Sequence, residues 1–279
     1  MSDTDPAPHV VDHRTCTGEL LEHGALVLAW TPAGAAPVVW RAPGSRIRRG
    51  APPHAGVPVC WPWFGPGRFP GTSPSHGMVR TVDWELVERT EDDDGVVLHL
   101  RVTSDTATSP HFPHPYVLDL RARFGAALEL ELTTTNTGPR PFDLEEALHA
   151  YLRVGDVHRI RLQGLDGVRY HDKTTGRDER QDGDVTITGE TDRVYRTDAA
   201  VTVVDPVLDR RLRVTTTGAA DRVVWNPGDP LGRSLHDVGE AWPTFVCVEG
   251  GNVLADAVAV EPGASRSMTY RVELLPGVG

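Results

Sequence analysis

Short segments in which apolar and polar residues alternate recur along most of this chain. Such period-2 segments are typical of β-strands with one buried face. Turn residues separate most of them, and Asp92-Asp-Asp-Gly95 predicts a hairpin because Asp and Gly tolerate the positive φ of tight turns. Many strands without helical patterns between them favour an antiparallel sandwich over a βαβ fold. We therefore predict an all-β fold with strands at Ala25–Trp30, Pro37–Arg41, Val82–Arg89, Val96–Thr103, Tyr116–Phe124, Ala127–Thr134, Val185–Thr188, Val201–Val204, Arg211–Thr215, Arg222–Trp225, Thr244–Val248 and Ser267–Leu275.

The length of 279 residues suits one all-β domain, because sandwiches of this size commonly form a single core. We find no linker and no internal repeat, so we predict one domain over residues 16–279. Residues 1–15 are expected to be disordered.

The formal charge of −11 argues against a nucleic-acid partner, which requires a basic face to neutralise phosphates. The N-terminus has neither the basic nor the apolar region of a signal peptide, and prolines interrupt the most apolar stretch, residues 24–40. We therefore expect no membrane partner, and a small molecule as the ligand of a monomer.

Three scattered cysteines, Cys16, Cys60 and Cys247, provide neither a disulfide framework nor a Cys-x-x-Cys metal pair. A reducing, cytoplasmic environment is the default for such a chain. We expect no metal site, since His111 and His114 lack a third ligand nearby and Glu91–Asp94 reads as a solvated hairpin tip. Lys173 is the only lysine beside 27 arginines, a skew that we attribute to genomic base composition and not to function.

The segment Asp143–Arg153 is ambiguous. It is rich in helix formers and places Glu145, His149 and Arg153 at i, i+4 spacing, so propensity alone slightly favours a helix. The same segment alternates strictly, which as a strand would bury the even positions and turn Glu145 and His149 to the opposite face. Under either reading His149 lies among other polar groups.

Two neighbouring strings could form a ligand surface. Gly56-Val-Pro-Val-Cys-Trp-Pro-Trp-Phe-Gly65 packs three aromatic residues between prolines, and such a surface suits either a sugar ring or a buried corner of the core. His76-Gly-Met-Val-Arg80 adds a hydrogen-bond donor and a fixed cation.

Glu249 lies at the end of an apolar strand, just before two glycines. In that strand Val246 and Val248 face one way, while Phe245, Cys247 and Glu249 face the other. A carboxylate in such a place must be paired, solvated or used in chemistry. On the residues alone, a structural role for Glu249 or His149 is the commoner outcome.

Seven strings, taken together, resemble one family: the hexose-6-phosphate mutarotase (glucose-6-phosphate 1-epimerase) branch of the aldose 1-epimerase superfamily. The resemblance extends from about Arg41 to the C-terminus, with the strings in the family's order. It implies a galactose-mutarotase-like β-supersandwich and resolves the ambiguous segment as a strand. The strings are Gly56–Gly65, His76–Arg80, Ala147-Leu-His-Ala-Tyr-Leu-Arg-Val-Gly-Asp156, Gly164-Leu-Asp-Gly-Val-Arg-Tyr170, Thr191-Asp-Arg-Val-Tyr195, Val224-Trp-Asn-Pro227 and Phe245-Val-Cys-Val-Glu249.

The activity that this resemblance implies is the interconversion of α and β anomers through an open-chain aldehyde, with no cofactor. By position, His149 resembles the family's general acid at the ring oxygen and Glu249 its general base at the C1 hydroxyl. Imidazole suits proton exchange near neutrality, and desolvation would make the carboxylate a better base. Asp192 resembles a carboxylate that hydrogen-bonds sugar hydroxyls, and a salt bridge to Arg193 or another arginine stays open as the alternative.

Substrate recognition is where the chain departs from the family pattern. His54 stands where the family has an arginine, so we expect it to be a weaker, pH-dependent substitute. Arg80 matches its family position, and Ser75, His76 and Trp63 are the other expected substrate contacts. The loop arginines at positions 41, 46, 48 and 49 could bend toward the site, although solvated side chains are the simpler reading.

The sequence leaves three hypotheses. The first is a mutarotase acting on a hexose, above all D-glucose 6-phosphate or a related hexose 6-phosphate. The second is a non-catalytic carbohydrate-binding or sugar-sensing protein, and an epimerase of unphosphorylated aldoses is a variant of the first. The third, a glycosidase or lyase, would need a second acid near Glu249.

Overall fold

Antiparallel β-strands dominate the computed structural model, which describes residues 6–44, 46–51, 53–67 and 72–277. The helical segments of this part of the chain are α1 (Gly228–Ser234) and three short 3₁₀ turns at Val79–Thr81, Gly239–Thr244 and Leu254–Asp256. The strands are β1 (His9–His13), β2 (Cys16–Leu21), β3 (Leu26–Pro32), β4 (Val59–Cys60), β5 (Glu85–Asp92), β6 (Gly95–Thr103), β7 (Tyr116–Gly125), β8 (Ala127–Asn136), β9 (Phe142–Leu144), β10 (Glu146–Leu148), β11 (Tyr151–Arg153), β12 (Arg161–Gln163), β13 (Arg169–Asp172), β14 (Arg177–Arg180), β15 (Thr191–Arg196), β16 (Val201–Asp205), β17 (Arg210–Thr217), β18 (Asp221–Asn226), β19 (Phe245–Asn252), β20 (Val258–Val260) and β21 (Ser265–Leu275).

Two large sheets form most of the molecule. Sheet A has the order β14-β13-β15-β18-β19-β10-β4, with β11 also paired to β19; sheet B has the order β12-β16-β17-β21-β8-β7-β6-β5. A three-stranded sheet (β1-β2-β3) and the pair β20-β9 complete the strand pairings. Every pairing between these strands is antiparallel, so the predicted all-β fold is confirmed.

Sheets A and B pack face to face through buried side chains. The Tyr270 hydroxyl in sheet B donates to the Val248 carbonyl in sheet A at 2.9 Å, and the Trp61 indole donates to Thr134 Oγ1 at 3.0 Å. A Cβ added at Gly250 would meet Thr216 of β17, so the even-numbered face of β19 packs on sheet B. Glu249, being odd-numbered, points away from sheet B.

The ambiguous segment is extended, as the resemblance implied, and the helix favoured by propensity is wrong. Residues 142–153 form β9, β10 and β11. Both β10 and β11 pair with β19, which is buried along its whole length. The hydrogen bonds and burial offered by that central strand outweigh the modest helical preference of Leu, Ala and Glu.

Several predicted boundaries differ from the structure. Residues 9–13, expected to be disordered, form β1, because the hairpin with β2 satisfies their backbone and buries Val11. Residues 1–5 lie outside the described residues, and the single domain over 16–279 stays a prediction. Pro37–Arg41 and Val185–Thr188 make one isolated bridge each instead of a strand, Val39↔Leu152 and Leu162↔Val185. No helix in the described part of the chain is long and apolar enough to cross a bilayer.

Candidate active site

Four residues on neighbouring strands of sheet A lie in one row, on the face directed away from sheet B. The strand registers place Asp192 opposite Trp225, Trp225 opposite Cys247, and Cys247 opposite Tyr151. Because opposed residues of antiparallel strands share a face, four distant segments contribute to one row. This row borders the two residues expected to be catalytic.

His149 and Glu249 converge from neighbouring strands. The pairs Leu148↔Gly250 and Tyr151↔Cys247 bracket them in the register. His149 Nε2 lies 3.4 Å from Glu249 Oε1, and the residues are 8% and 1% exposed. The sequence therefore predicted correctly that these groups would meet.

The polar atoms of this pair lack hydrogen-bond partners. His149 Nδ1 and both carboxylate oxygens of Glu249 are buried without a hydrogen bond to any described residue. A buried polar atom left in that state costs about 1–3 kcal/mol, which a protein rarely tolerates without a use for it. All three atoms belong to side chains that line a cavity of about 250 Å³, where a ligand could supply the missing partners.

Aromatic contacts fix the orientation of the imidazole. Its ring stacks on Tyr151 with centroids 4.9 Å apart and an angle of 11° between the planes. Trp225 meets the same imidazole edge to face at 5.8 Å. A ring held between two larger aromatic rings has little freedom to rotate, so the directions of its nitrogens are fixed.

Burial shifts the pKa values of the two groups toward each other's range. Desolvation raises the pKa of Glu249 well above 4.5, an effect that the ammonium of Lys173 opposes. Desolvation, reinforced by His76 and Arg80, lowers the pKa of His149 well below 6.5. Both shifts favour the neutral forms, since a low-dielectric site penalises charge.

The neighbouring His76 is a neutral hydrogen-bond donor. Its Nδ1 accepts from the Gly65 N–H at 3.3 Å and lies 3.5 Å from the Cys60 thiol, so the ring proton is assigned to Nε2. Burial, followed by the charge of Arg80, lowers its pKa to about 3. His76 therefore offers a fixed N–H donor instead of a titrating group.

Three basic side chains line the cavity in different electrostatic states. Lys173 Nζ lies 2.8 Å from Asp192 Oδ2, and His54 Nδ1 lies 2.8 Å from Asp237 Oδ1. Arg80 donates to the Ser75 carbonyl at 2.7 Å and has no carboxylate within 4.0 Å among the described residues. The guanidinium of Arg80 is thus the cation available to an anionic ligand.

Most of the predicted site residues line the same cavity, and Trp63 does not. The residues brought together are Ser75, His76, Arg80, Asp192, His54, His149 and Glu249. Trp63 lies 5% exposed in a different depression with Phe112 and Leu144, so the structure does not bring it together with the other expected site residues. Its neighbour Phe64 lines the candidate active-site cavity instead.

The loop arginines at positions 41, 46, 48 and 49 do not line the candidate active-site cavity. Arg46 and Arg48 border a neighbouring cavity of about 490 Å³, which shares His54 with the first. Arg49 pairs with Asp83. Asp192 likewise departs from one expectation, since its partner is Lys173, while Arg193 lies 3.5 Å from Asp172.

Sequence reasoning missed four residues of the cavity: Phe64, Tyr151, Lys173 and Trp225. Three of them stand inside strings that carried the family resemblance, so a signal was present. Lys173 had a signal of another kind, because it is the single ammonium among 27 guanidinium groups. Because we attributed the scarcity of lysine to base composition alone, we did not predict Lys173 as a site residue.

Comparisons with known proteins agree with the geometry. Residues 9–273 match the family model described as Aldose 1-epimerase. A Salmonella typhimurium protein provisionally named glucose-6-phosphate 1-epimerase is 37% identical over 261 residues, which cover 92% of this chain and 87% of that protein. An Escherichia coli K12 protein of the same provisional name is 36% identical over 244 residues, covering 86% and 81%.

The fold has a match among solved structures. The crystal structure of YeaD from Salmonella typhimurium, provisionally described as a mutarotase, superposes with a TM-score of 0.87 at 32% identity. The match covers 96% of this chain and 90% of that one. The galactose-mutarotase-like sandwich implied by the sequence motifs is thereby confirmed.

Proposed function

This chain belongs to the aldose 1-epimerase family, and we propose that it interconverts the α and β anomers of a hexose 6-phosphate, with D-glucose 6-phosphate as the first candidate. One observation carries the proposal: an imidazole and a carboxyl 3.4 Å apart, both buried, with unpartnered polar atoms beside a cavity. An acid and a base in such a place match the requirement of anomer exchange, in which the C1 hydroxyl loses a proton while the ring oxygen gains one.

The proposed reaction opens and recloses the pyranose ring. The reaction starts from the ionised pair, in which the Glu249 carboxylate and the His149 imidazolium stabilise each other's charge across 3.4 Å. Glu249 takes the proton of the C1 hydroxyl while His149 donates a proton to the ring oxygen. The C1–O5 bond breaks and the C1–O1 bond becomes a carbonyl. Rotation about C1–C2 then presents the other carbonyl face, and reclosure returns each proton to its donor. Atoms and charge balance without any co-reactant.

Burial supports this mechanism by favouring the state in which the ring is open. Ring opening leaves Glu249 protonated and His149 neutral, because one proton has moved to the carboxyl and another has left the imidazole. These are the forms that desolvation favours in the raised pKa of Glu249 and the lowered pKa of His149. The site is therefore suited to the aldehyde intermediate, whose formation is the difficult step.

The walls of the cavity suit a phosphorylated sugar. The partly exposed Trp225 offers an apolar face to the C–H groups of a pyranose, and His76 offers an N–H donor. Arg80, without a carboxylate partner in the described residues, is the group that we propose binds the phosphate. His54 contributes less as a cation than the family's arginine would, since Asp237 holds it at 2.8 Å.

Polarimetry of freshly dissolved α-glucose 6-phosphate tests the proposal, with the spontaneous rate subtracted. We expect the protein to accelerate relaxation toward the anomeric equilibrium, and to act less efficiently on glucose and galactose. A protein that binds these sugars without accelerating relaxation would be a sugar-binding protein, and the proposal would be wrong. Arg193→Met, which alters an ion pair outside the cavity, serves as the control variant.

A further inference from the structure

Lys173 and Asp192 form a polar pair on the wall of the catalytic cavity. Their charged atoms are 2.8 Å apart, and the side chains are 26% and 20% exposed. The ammonium also lies 5.1 Å from the centroid of the Phe64 ring, which stabilises its position from a second direction. The main chains are joined as well, because the Lys173 N–H donates to the Asp192 carbonyl at 2.8 Å.

The pair retains unused hydrogen-bonding capacity. An ammonium has three donors, and the Lys173 ammonium is held beside Asp192 by an ion pair. The ammonium lies 2.8 Å from Oδ2 of Asp192, which leaves Oδ1 as the oxygen that can accept from a ligand. The pair therefore presents donors and an acceptor side by side, within a cavity that also contains the proposed acid and base.

Charge decides what this pair can bind. Lys173 and Asp192 together carry no net charge, so a phosphate dianion beside the ammonium would also be repelled by the adjacent carboxylate. Two neighbouring hydroxyls meet no such repulsion, since one can accept from the ammonium while the other donates to the carboxylate. Arg80, by contrast, lacks a carboxylate and attracts the dianion without opposition.

We infer that Lys173 donates a hydrogen bond to a hydroxyl of the sugar ring, next to the hydroxyl that the family resemblance assigns to Asp192, while the phosphate lies at Arg80 as proposed above. This assignment rests on the proposed function and adds a substrate contact to it. Lys173 is thus a specificity-determining residue for the sugar and does not select for phosphorylation.

Binding of 1,5-anhydroglucitol and its 6-phosphate tests the inference without any turnover, because these rings lack the C1 hydroxyl and cannot open. Calorimetry would compare the wild type with Lys173→Met and with Arg80→Ala. We expect Lys173→Met to weaken binding of both rings by the same factor, about tenfold or more, which is the loss expected for a charged hydrogen bond. Arg80→Ala should weaken binding of the phosphorylated ring alone.

Arg193→Met is the matched control, because Arg193 also lies near a carboxylate, 3.5 Å from Asp172, and over an aromatic ring, 4.8 Å from Tyr170, but does not line the cavity. We expect it to leave both dissociation constants within twofold. Should Lys173→Met fail to fold, Lys173→Arg enters the same comparison, since it keeps the charge but changes the donor geometry.

Deoxy analogues of the anhydro ring locate the contacted hydroxyls. Removing a hydroxyl that Lys173 binds should weaken binding to the wild type but have little further effect in Lys173→Met. The inference is overturned if Lys173→Met affects only the phosphorylated ring, or neither ring, or if every deoxy effect adds to that of the substitution. If the wild type binds the anhydro rings but does not accelerate anomer exchange, the proposed function is wrong. The ratios of the dissociation constants of variant and wild type still decide the inference about Lys173.

Discussion

Two buried glutamates on adjacent strands of sheet A have opposite surroundings. Glu146 on β10 is 0% exposed, and its Oε1 accepts from Asn252 at 2.9 Å and lies 3.6 Å from Arg266 Nε, while its Oε2 makes no hydrogen bond to the described residues. Glu249 on β19 is 1% exposed, makes no hydrogen bond to the described residues and lies 3.4 Å from His149. Of these two glutamates, Glu249 lines the candidate active-site cavity and Glu146 does not.

The difference teaches that burial alone does not identify a catalytic carboxyl. Burial raises the pKa of both groups, to about 7 for Glu146 and well above 4.5 for Glu249. At Glu146 an amide and a guanidinium compensate part of that cost, as in a structural ion pair. At Glu249 no hydrogen bond from the described residues offsets that cost, although the ammonium of Lys173 opposes it, and the carboxyl lies beside an imidazole and a cavity, as acid–base chemistry requires.

The largest expected effect concerns the pair at Glu249. We expect His149→Ala and Glu249→Gln each to lower kcat by about 10²–10⁴, the usual contribution of a positioned acid or base. Since the two groups move protons in one step, the double variant should be no slower than the slower single variant. Saturation-transfer NMR between the anomers measures these rates. Losses that multiply in the double variant would show that the groups act independently.

The second effect concerns stability at Glu146. Its pKa is raised from 4.5 in the unfolded chain to about 7 in the fold, so its contribution to stability is complete below pH 4.5 and is lost as the pH rises through 7. The free energy of unfolding of the wild type, relative to Glu146→Gln, should therefore fall by about 3 kcal/mol between pH 4.5 and pH 8.

Urea unfolding at several pH values checks this prediction, and Glu249 cancels because both proteins contain it. The folded Glu146→Gln variant should retain its kcat within twofold. A difference in unfolding free energy that does not change with pH would contradict the assignment of Glu146 as a buried, titrating structural group.

A smaller expected effect, on the KM for the sugar, distinguishes Arg80 of the cavity from Arg266 beside Glu146. We expect Arg80→Ala to raise the KM for glucose 6-phosphate about tenfold while changing that for glucose less, because only the phosphate needs the guanidinium. Arg266→Ala should lower the stability and leave the ratio of the two KM values unchanged. Steady-state polarimetry with both sugars measures the ratio, and equal changes in KM for Arg80→Ala would show that Arg80 does not bind phosphate.

Much of the sheet architecture follows from local patterns in the sequence. The alternation in residues 244–248 predicted that Glu249 would face away from Val248, and the hairpin at Asp92–Gly95 joins β5 to β6 as its turn residues indicate. The N-terminal hairpin of β1 and β2 was missed, and the helical preference of 143–153 was misleading. In both cases pairing with another strand, which local propensity does not report, decides the conformation.

The site itself was only partly predictable. His149 and Glu249 could be named because motifs placed them, whereas their hydrogen-bonding state depends on the packing of segments a hundred residues apart. The separation of Trp63 from the cavity and the omission of Phe64 have one physical cause, since an irregular proline-rich string has no regular alternation that shows which side faces the cavity. The role inferred for Lys173 depends on a partner, Asp192, that the sequence does not indicate.

Anomer exchange in Glu249→Gln and Glu146→Gln, measured side by side by saturation-transfer NMR with α- and β-glucose 6-phosphate, is the most direct test that the unpartnered carboxyl at the cavity is the base. Both substitutions replace a buried carboxyl by an amide of the same shape. We predict a rate at least a hundredfold lower for Glu249→Gln and within twofold of the wild type for Glu146→Gln. Exchange at the wild-type rate in Glu249→Gln, or equal losses in both variants, would contradict it.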